Sequence, residues 1–276
     1  MTPTIGVFDS GFGGLTVLRA LLARMPQARF AFIGDTARLP YGSKSRRTIA
    51  RYAVQCAQFL VREQGAEFLV IACNTASALA LDAIQDAVPV PVLGVIEPGA
   101  EAARSASRSG DVLVIATDAT VQSHAYAAAC RARGLRTLEK ACPLLVPLVE
   151  EGWNDHPVTA EVIRIYLAEL TADAAAQGMK PDVLLLGCTH YPLLRPLLEK
   201  AVPVGMKVID SADATAEATL SLVGMVKPSP SAHPPTVQDQ DQIRCFATDS
   251  VEKFERLGSR FLNRPTGKVE LVDLGG

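Results

Sequence analysis

The stretch LLLGCTHYPLL, residues 184–194, is an apolar run that ends in a cysteine, a threonine and a histidine. A similar stretch, LVIACNTASAL, lies about 115 positions earlier, at residues 69–79. Short apolar runs that end in small polar residues are typical of strands buried in parallel sheets. The sequence therefore predicts two strands that each end at a thiol, Cys73 and Cys188.

Other apolar runs predict further strands, separated by helices. These runs are TIGVF, RFAFIG, VPVLGV, DVLVIAT, MKVID and IRCFATD. Apolar residues recur between them at helical spacing, as at Ile49, Ala53 and Cys56 and again at Val162 and Ile165. Strands that alternate with helices favour an α/β fold whose parallel sheets are covered on both faces.

An approximate internal repeat predicts two similar halves. The segments TIGVFDSGFGGLTVL and DVLVIATDATVQSHA both have the pattern of a strand, a small polar turn and a helix. The spacing from Asp9 to Cys73 is 64 residues, and the spacing from Thr117 to Cys188 is 71 residues. We therefore expect two pseudo-symmetric α/β domains with the active site in the cleft between them.

Boundary signals divide the predicted domains. VIEPGAEAA and VIDSADATAEA join strands to Pro, Gly or Ser. We expect residues 1–97 and 208–276 to form the first domain and residues 98–207 the second. The segment KPSPSAHPPTVQDQDQ, residues 227–242, has the composition of a mobile loop. The strand and helix pattern after it is expected to return to the first domain.

Composition excludes several functional classes. The chain has 276 residues and is 49% apolar, which is enough for a substantial core. A formal charge of −2 argues against nucleic acid as a partner. The chain has no apolar stretch long enough to span a bilayer, and MTPTIGVFDS does not resemble a signal peptide. We expect a cytoplasmic protein with no membrane partner.

Six cysteines are spread thinly through the chain, so reduced thiols are expected rather than disulfides. Four of them have apolar or helical surroundings and are interpreted as small buried hydrophobic residues. These are Cys56, Cys130, Cys142 and Cys245.

In open parallel sheets, ligands bind beyond the carboxyl ends of the strands, and two facing domains would bring both remaining thiols to one cleft. Polar residues that follow predicted strands are the candidates for this cleft. They are Asp9, Ser10, Asp35, the stretch from Cys73 to Thr75, the stretch from Thr117 to Thr120 and the stretch from Cys188 to His190.

Four kinds of chemistry can use two opposed thiols. A metal site needs three or four ligands, and Cys188 with His190 is a bare pair, so no metal is expected. Redox disulfides usually come from cysteines three positions apart. A cysteine hydrolase needs one thiol and leaves the second unexplained. Proton transfer at carbon, with one thiol on each face, accounts for both.

Inverting a stereocentre by deprotonation needs two acid/base groups that flank the carbon. A free thiol titrates at about 8.5, whereas a carboxylate is a weaker base by about four pKa units. A thiolate that faces a thiol is therefore a workable base and acid. DSGFGG places Asp9 and Ser10 at a glycine turn before a helix, and PYGSKS offers Tyr41 and Gly42 in a loop. The glycine spacing does not match a dinucleotide fingerprint.

Six motifs in chain order carry a family resemblance. They are FDSGFGGLTVL, GDTARLPYGSKS, ACNTASA, PLVEEGW, LLLGCTHYPLL and ATDSVEKF. From about residue 5 to about residue 262 the chain resembles the glutamate racemases, which are cofactor-independent members of the aspartate/glutamate racemase family. The resemblance implies interconversion of L- and D-glutamate without a cofactor, with D-glutamate supplied to peptidoglycan. The PYG motif favours the glutamate branch.

The resemblance also implies roles for single residues. Cys73 matches the thiol that acts on the D-isomer, with Asp9 assisting it, and Cys188 matches the thiol that acts on the L-isomer. His190 and Glu150 match the groups that support Cys188, and Asp9 and His190 also match binding positions. The other implied substrate-binding residues are Ser10, Tyr41, Gly42, Asn74, Thr75, Thr117, Thr120 and Thr189.

Several alternatives stay open at this point. Glu151 competes with Glu150 for the same role, and Asp35 with Arg38 is as readily a structural ion pair. The substrate is open between glutamate and another acidic amino acid such as aspartate, and a non-catalytic amino-acid sensor is a third reading. A homodimer is expected.

Overall fold

The computed structural model describes residues 3–225 and 242–275, so residues 227–241 of the predicted loop lie outside the described residues. The strands are β1 Thr4–Asp9, β2 Arg29–Gly34, β3 Phe68–Ile71, β4 Val92–Gly94, β5 Asp111–Ala116, β6 Arg136–Ala141, β7 Val183–Gly187, β8 Lys207–Asp210, β9 Ile243–Ala247 and β10 Val269–Leu271. The α-helices are α1 Leu15–Arg24, α2 Arg46–Arg62, α3 Asn74–Leu79, α4 Leu81–Ala87, α5 Ile96–Ala106, α6 Asp118–Ser123, α7 Ala125–Ala132, α8 Leu145–Glu150, α9 Pro157–Ala176, α10 Arg195–Ala201, α11 Ala212–Met225 and α12 Val251–Leu262. Short 3-10 helices span Thr36–Arg38, Tyr41–Ser43 and Tyr191–Leu194.

The strands form two sheets with parallel pairing throughout. The first has the order β10-β9-β2-β1-β3-β4, and the second has the order β6-β5-β7-β8. The order β2-β1-β3-β4 of the first sheet is thus repeated in the second, where β6, β5, β7 and β8 take the corresponding places. The prediction of two pseudo-symmetric parallel α/β domains is confirmed.

One predicted boundary needs correction. The division made from the sequence assigns residues 208–210 to the first domain, but β8 pairs with β7 in the second sheet. This pairing places β8 in the second domain. The Ser and Ala residues that suggested a boundary come directly after the strand. At the other end, β9 pairs with β2, which places the returning segment in the first sheet. The remaining boundaries stay predictions.

The helices follow from local signals. The Ser45 hydroxyl accepts a hydrogen bond from the backbone N–H of Thr48 at 3.4 Å and caps α2, whose buried face includes Ile49 and Ala53. In α9 the buried face differs from the one expected, since Ile165 is 44% exposed while other apolar residues turn inward. This helix is apolar on several sides, so spacing alone does not select the face that packs.

One hydrophobic cluster joins the two domains. It includes Val7 of β1 and Phe68 of β3 from the first sheet, together with Ile115 of β5 and Leu186 of β7 from the second. A second cluster lies within the first domain, and a third lies in the second domain with Ala78 of α3 packed against it. Because the shared cluster is buried, the carboxyl ends of both sheets are held in a defined arrangement.

All six cysteines are buried free thiols, as the sequence predicts. Apart from the two at strand ends, they pack among apolar side chains. Within residues 3–225 and 242–275, the structure contains no helix with the length and apolarity needed to cross a bilayer.

Asp182 ties the amino-terminal ends of β5 and β7, at the edge of the sheet opposite the thiols. Its carboxylate accepts hydrogen bonds from the hydroxyls of Ser107 and Ser109, at 2.6 and 2.9 Å. It also accepts from the backbone N–H groups of Arg108 and Ser109, at 2.7 and 3.1 Å. Burial acts to raise the pKa of Asp182, but these hydrogen bonds outweigh it and lower the pKa to about 2.

We expect Asp182→Asn to lower the free energy of unfolding by about 1 kcal/mol at pH 7, allowing for solvent screening of this partly exposed group. The folded-state pKa is lowered, so the contribution is complete above the ordinary pKa of about 3.9 and is lost as the pH falls toward 2. Urea unfolding from pH 3 to pH 8 measures this. The exposed Asp173→Asn is the control, and equal losses in both variants would contradict the prediction.

Candidate active site

A cavity of about 180 Å³ lies where the carboxyl ends of the two sheets face each other. Residues of both domains line it, including both predicted thiols. The predicted residues on its wall are Ser10, Tyr41, Gly42, Cys73, Asn74, Thr75, Thr117, Glu150, Cys188, Thr189 and His190. The parallel topology brings these residues together, because β1, β3, β5 and β7 all end at this edge.

Cys73 lies between β3 and α3 and caps the helix. Its sulfur accepts a hydrogen bond from the backbone N–H of Ala76 at 3.4 Å, and its thiol donates to the Ser10 hydroxyl at 3.5 Å. Burial, and secondly the nearby carboxyl of Asp9, raise the pKa of Cys73 to about 12. The Cys73 thiol is therefore protonated at neutral pH.

Cys188 occupies the equivalent position after β7 and has a basic neighbour. Its sulfur lies 3.9 Å from Nδ1 of His190. The other ring nitrogen, Nε2, lies 3.4 Å from Oε1 of Glu150, close enough for an ion pair but without hydrogen-bond alignment. Burial opposes the charged imidazolium, but the contacts with Cys188 and Glu150 outweigh it and raise the pKa of His190 to about 10. His190 is therefore a cation at neutral pH.

Glu150 uses its two carboxylate oxygens separately. Oε1 faces His190, and Oε2 lies 3.2 Å from Nζ of Lys253, which comes from α12 of the other domain. Burial acts to raise the pKa of Glu150, but His190 and Lys253 outweigh it and lower the pKa. The neighbouring Glu151 is exposed to solvent, so the geometry favours Glu150.

Asp9 lies just behind the cavity wall and is 1% exposed. Its Oδ2 accepts a hydrogen bond from the backbone N–H of Gly11 at 2.9 Å, and its Oδ1 accepts from the Thr189 hydroxyl at 3.5 Å. Burial raises the pKa of Asp9, although the charge on His190 opposes this. Asp9 is thus a buried acid between the two thiol segments.

The β1–α1 turn touches the second domain at Gly13. A Cβ atom at this position would lie 2.1 Å from Oγ1 of Thr189 and 2.7 Å from Nδ1 of His190. Such distances are shorter than any van der Waals contact, so only glycine fits. The glycine-rich motif DSGFGG thus allows the turn to approach the segment that follows Cys188.

Three threonines form a hydroxyl cluster across the domain boundary. Thr75 lies 3.0 Å from Thr117 and 3.2 Å from Thr120, and the latter two are 2.9 Å apart. Thr120 is fully buried and supports the other two without lining the cavity. Any contact between Thr120 and a small ligand is therefore indirect.

Tyr41 lines the cavity, but its hydroxyl donates a hydrogen bond to Asp35. Asp35 is fully buried and forms an ion pair with Arg38 at 2.9 Å. This network holds the loop of Pro40, Tyr41 and Gly42 in place from the side that faces away from the cavity. Tyr41 and Gly42 can therefore serve a ligand through their backbone, while Asp35 and Arg38 face away from the cavity.

Sequence reasoning missed several residues around the cavity. On the wall itself these are Gly11, Leu39, Pro40, Ser43, Pro143, Val146 and Pro147. Most of them adjoin motifs that were identified. Lys253 lies in the motif ATDSVEKF, but only the fold reveals its contact with Glu150. No sequence pattern pointed to Tyr126, whose hydroxyl donates a hydrogen bond to Asn74.

Comparisons with known proteins identify the family of the chain. The family model of the Asp/Glu/Hydantoin racemases matches residues 15–219. A glutamate racemase of Koribacter versatilis is 52% identical, over 99% of this chain and 98% of the relative.

Two crystal structures have the same fold. The glutamate racemase of Francisella tularensis, in complex with D-glutamate, has a TM-score of 0.85 and 33% identity, covering 99% of this chain and 98% of the other. The Escherichia coli glutamate racemase, in complex with L-glutamate and the activator UDP-MurNAc-ala, has a TM-score of 0.77 and 26% identity over 100% of both chains. The chain therefore belongs to the Asp/Glu/Hydantoin racemase family and is a racemase of the glutamate branch.

Proposed function

We propose that the protein interconverts L- and D-glutamate by a two-base mechanism in which Cys73 and Cys188 exchange protons with the α-carbon. The observation that carries this proposal is the placement of one buried thiol from each domain on one cavity, at equivalent strand ends. A group on one face of a carbon cannot deliver a proton to the opposite face. Two opposed thiols meet this requirement.

The surroundings of the two thiols differ in charge. The cation His190 lies 3.9 Å from the Cys188 sulfur and can compensate negative charge that develops on that side of the cavity. Burial and Asp9 keep Cys73 protonated. In the direction from L- to D-glutamate, the Cys188 thiolate takes the α-proton and the Cys73 thiol donates its proton to the other face. The reverse direction begins with the proton on Cys188 and the thiolate on Cys73.

The carbanion intermediate needs electrostatic stabilisation. The hydroxyl of Ser10 and the amide of Asn74 lie on the cavity wall as donors to the substrate carboxylates. The first backbone N–H groups of α3 and of the 3-10 helix Tyr41–Ser43 have no partner within their own helices. Fixed donors of this kind in a buried cavity stabilise developing negative charge.

The cellular role of the product is inferred from the family resemblance. We propose that D-glutamate made by the protein enters peptidoglycan synthesis in the cytoplasm. That the protein needs no cofactor and that it forms a homodimer also stay predictions.

The first test follows deuterium from solvent. With L-glutamate in D₂O, we expect D-glutamate formed at low conversion to carry deuterium at the α-carbon, while recovered L-glutamate keeps its proton. This is because Cys73 draws its proton from solvent and Cys188 returns the substrate's own. Mass spectrometry of the separated enantiomers measures both pools, with L-aspartate as the comparison substrate. Equal deuterium in both pools from the start would contradict two separate bases.

Removing either thiol removes one of the two acid/base groups. We expect Cys73→Ala and Cys188→Ala each to lower kcat for racemisation by at least about a thousandfold, with the circular dichroism spectrum unchanged. Cys130→Ala, which removes a buried thiol from the core of the second domain, is the matched control and should keep its activity. Turnover within tenfold of wild type in either active-site variant would rule out that thiol as an acid/base group.

The charge on Glu150 helps to keep His190 protonated, which gives a pH prediction. Glu150→Gln removes this charge, so the pKa of His190 should fall from about 10 by about one unit. The imidazolium exists below its pKa, so the alkaline decline of kcat/KM should begin at lower pH. Rates from pH 6 to pH 11 measure the shift. The exposed Glu151→Gln serves as the control, and a shift of the same size there would contradict the prediction.

A further inference from the structure

Tyr126 lies behind the cavity and is fully buried at the start of α7. Its side chain is absent from the cavity wall, so it cannot touch a ligand directly. Its ring and hydroxyl nevertheless reach the two segments that carry the thiols.

The Tyr126 hydroxyl donates a hydrogen bond to Oδ1 of Asn74 at 2.6 Å. Asn74 directly follows Cys73 and belongs to the first domain, whereas α7 belongs to the second, so this bond crosses the domain boundary. A side-chain amide has an acceptor end and a donor end. Because the acceptor end is held by Tyr126, the amide nitrogen of Asn74 is directed toward the cavity that Asn74 lines.

The direction of this hydrogen bond is fixed by chemistry, because an amide oxygen can only accept and the phenol hydroxyl must therefore donate. Burial raises the pKa of Tyr126, so its hydroxyl stays protonated and remains a donor to Asn74 across the working pH range.

The Tyr126 ring supports the other thiol segment. A Cβ atom at Gly187, the residue before Cys188, would lie 2.9 Å from Cε2 of Tyr126. A Cβ atom at Gly99 of α5 would lie 3.1 Å from the same ring. The ring therefore packs directly on the backbone at the end of β7.

We propose that Tyr126 is a positioning residue that holds the Asn74 amide with its nitrogen in the cavity, where it donates to a substrate carboxylate. The inference rests on the proposed glutamate racemisation and adds a residue outside the cavity wall. Tyr126→Phe isolates this role, because it removes the hydroxyl and keeps the ring against Gly187.

We expect Tyr126→Phe to raise both KM and the Kd for glutamate about tenfold, as for a lost hydrogen bond to a charged group, with kcat changed less than about threefold. Asn74→Ala should raise them similarly, and Tyr126→Phe should add nothing in that background. Tyr166→Phe, a hydroxyl deletion on α9, is the matched control and should leave both constants unchanged. Turnover kinetics and isothermal titration give the constants, and thermal unfolding monitors the fold.

An unchanged Kd in Tyr126→Phe, or an equal further rise in the Asn74→Ala background, would overturn the proposal. If Tyr126→Phe does not fold, Asn74→Asp carries the test, since it keeps the acceptor for Tyr126 and removes the donor. An unchanged Kd there would also overturn the proposal. Titration does not depend on turnover, so a wild type that binds glutamate without racemising it would defeat only the proposed function.

Discussion

The cavity that both thiols line depends on one close contact, that of the Gly13 backbone with Thr189 and His190. This contact brings the turn after β1 against the segment after β7, so each domain forms part of the wall for the other. Any side chain at residue 13 would separate the two. The hydrogen bond between Asp9 and Thr189 and the ion pair between Glu150 and Lys253 cross the same boundary. Together these contacts close a small cavity around both thiols.

The two halves are symmetric in topology and asymmetric in charge. Cys73 and Cys188 follow strands at equivalent positions, but Cys73 lies near the buried acid Asp9 while Cys188 lies beside the cation His190. Two identical thiols in identical surroundings would compete for one negative charge. The different neighbours make the two thiols inequivalent. The fold repeat thus places the two thiols at equivalent positions, and the residues that differ between the repeats give the two thiols different charged neighbours.

Most of the fold and the members of the cavity wall were predictable, because apolar runs and strand-end cysteines are local signals. Strands β6 and β10 were missed, since the residues RTLEKA and VEL carry too little apolar pattern. The orientation of Tyr41 was not predictable either, because its hydroxyl is bound by Asp35, a contact made only in the folded chain. Lys253 and Tyr126 act across more than fifty positions of sequence, and no spacing rule links them to Glu150 or Asn74.

The path of the chain through the two sheets has a consequence for biosynthesis. The second sheet is formed by residues 111–210 without interruption, whereas β2 of the first sheet pairs with β9, more than 200 residues later. As the polypeptide leaves the ribosome, the second sheet can pair all four of its strands while the first still has an unpaired edge at β2. The first sheet is completed only when β9 pairs with β2. A ribosome that stalls before residue 243 would therefore present one complete sheet and one sheet with an exposed edge to the quality-control machinery.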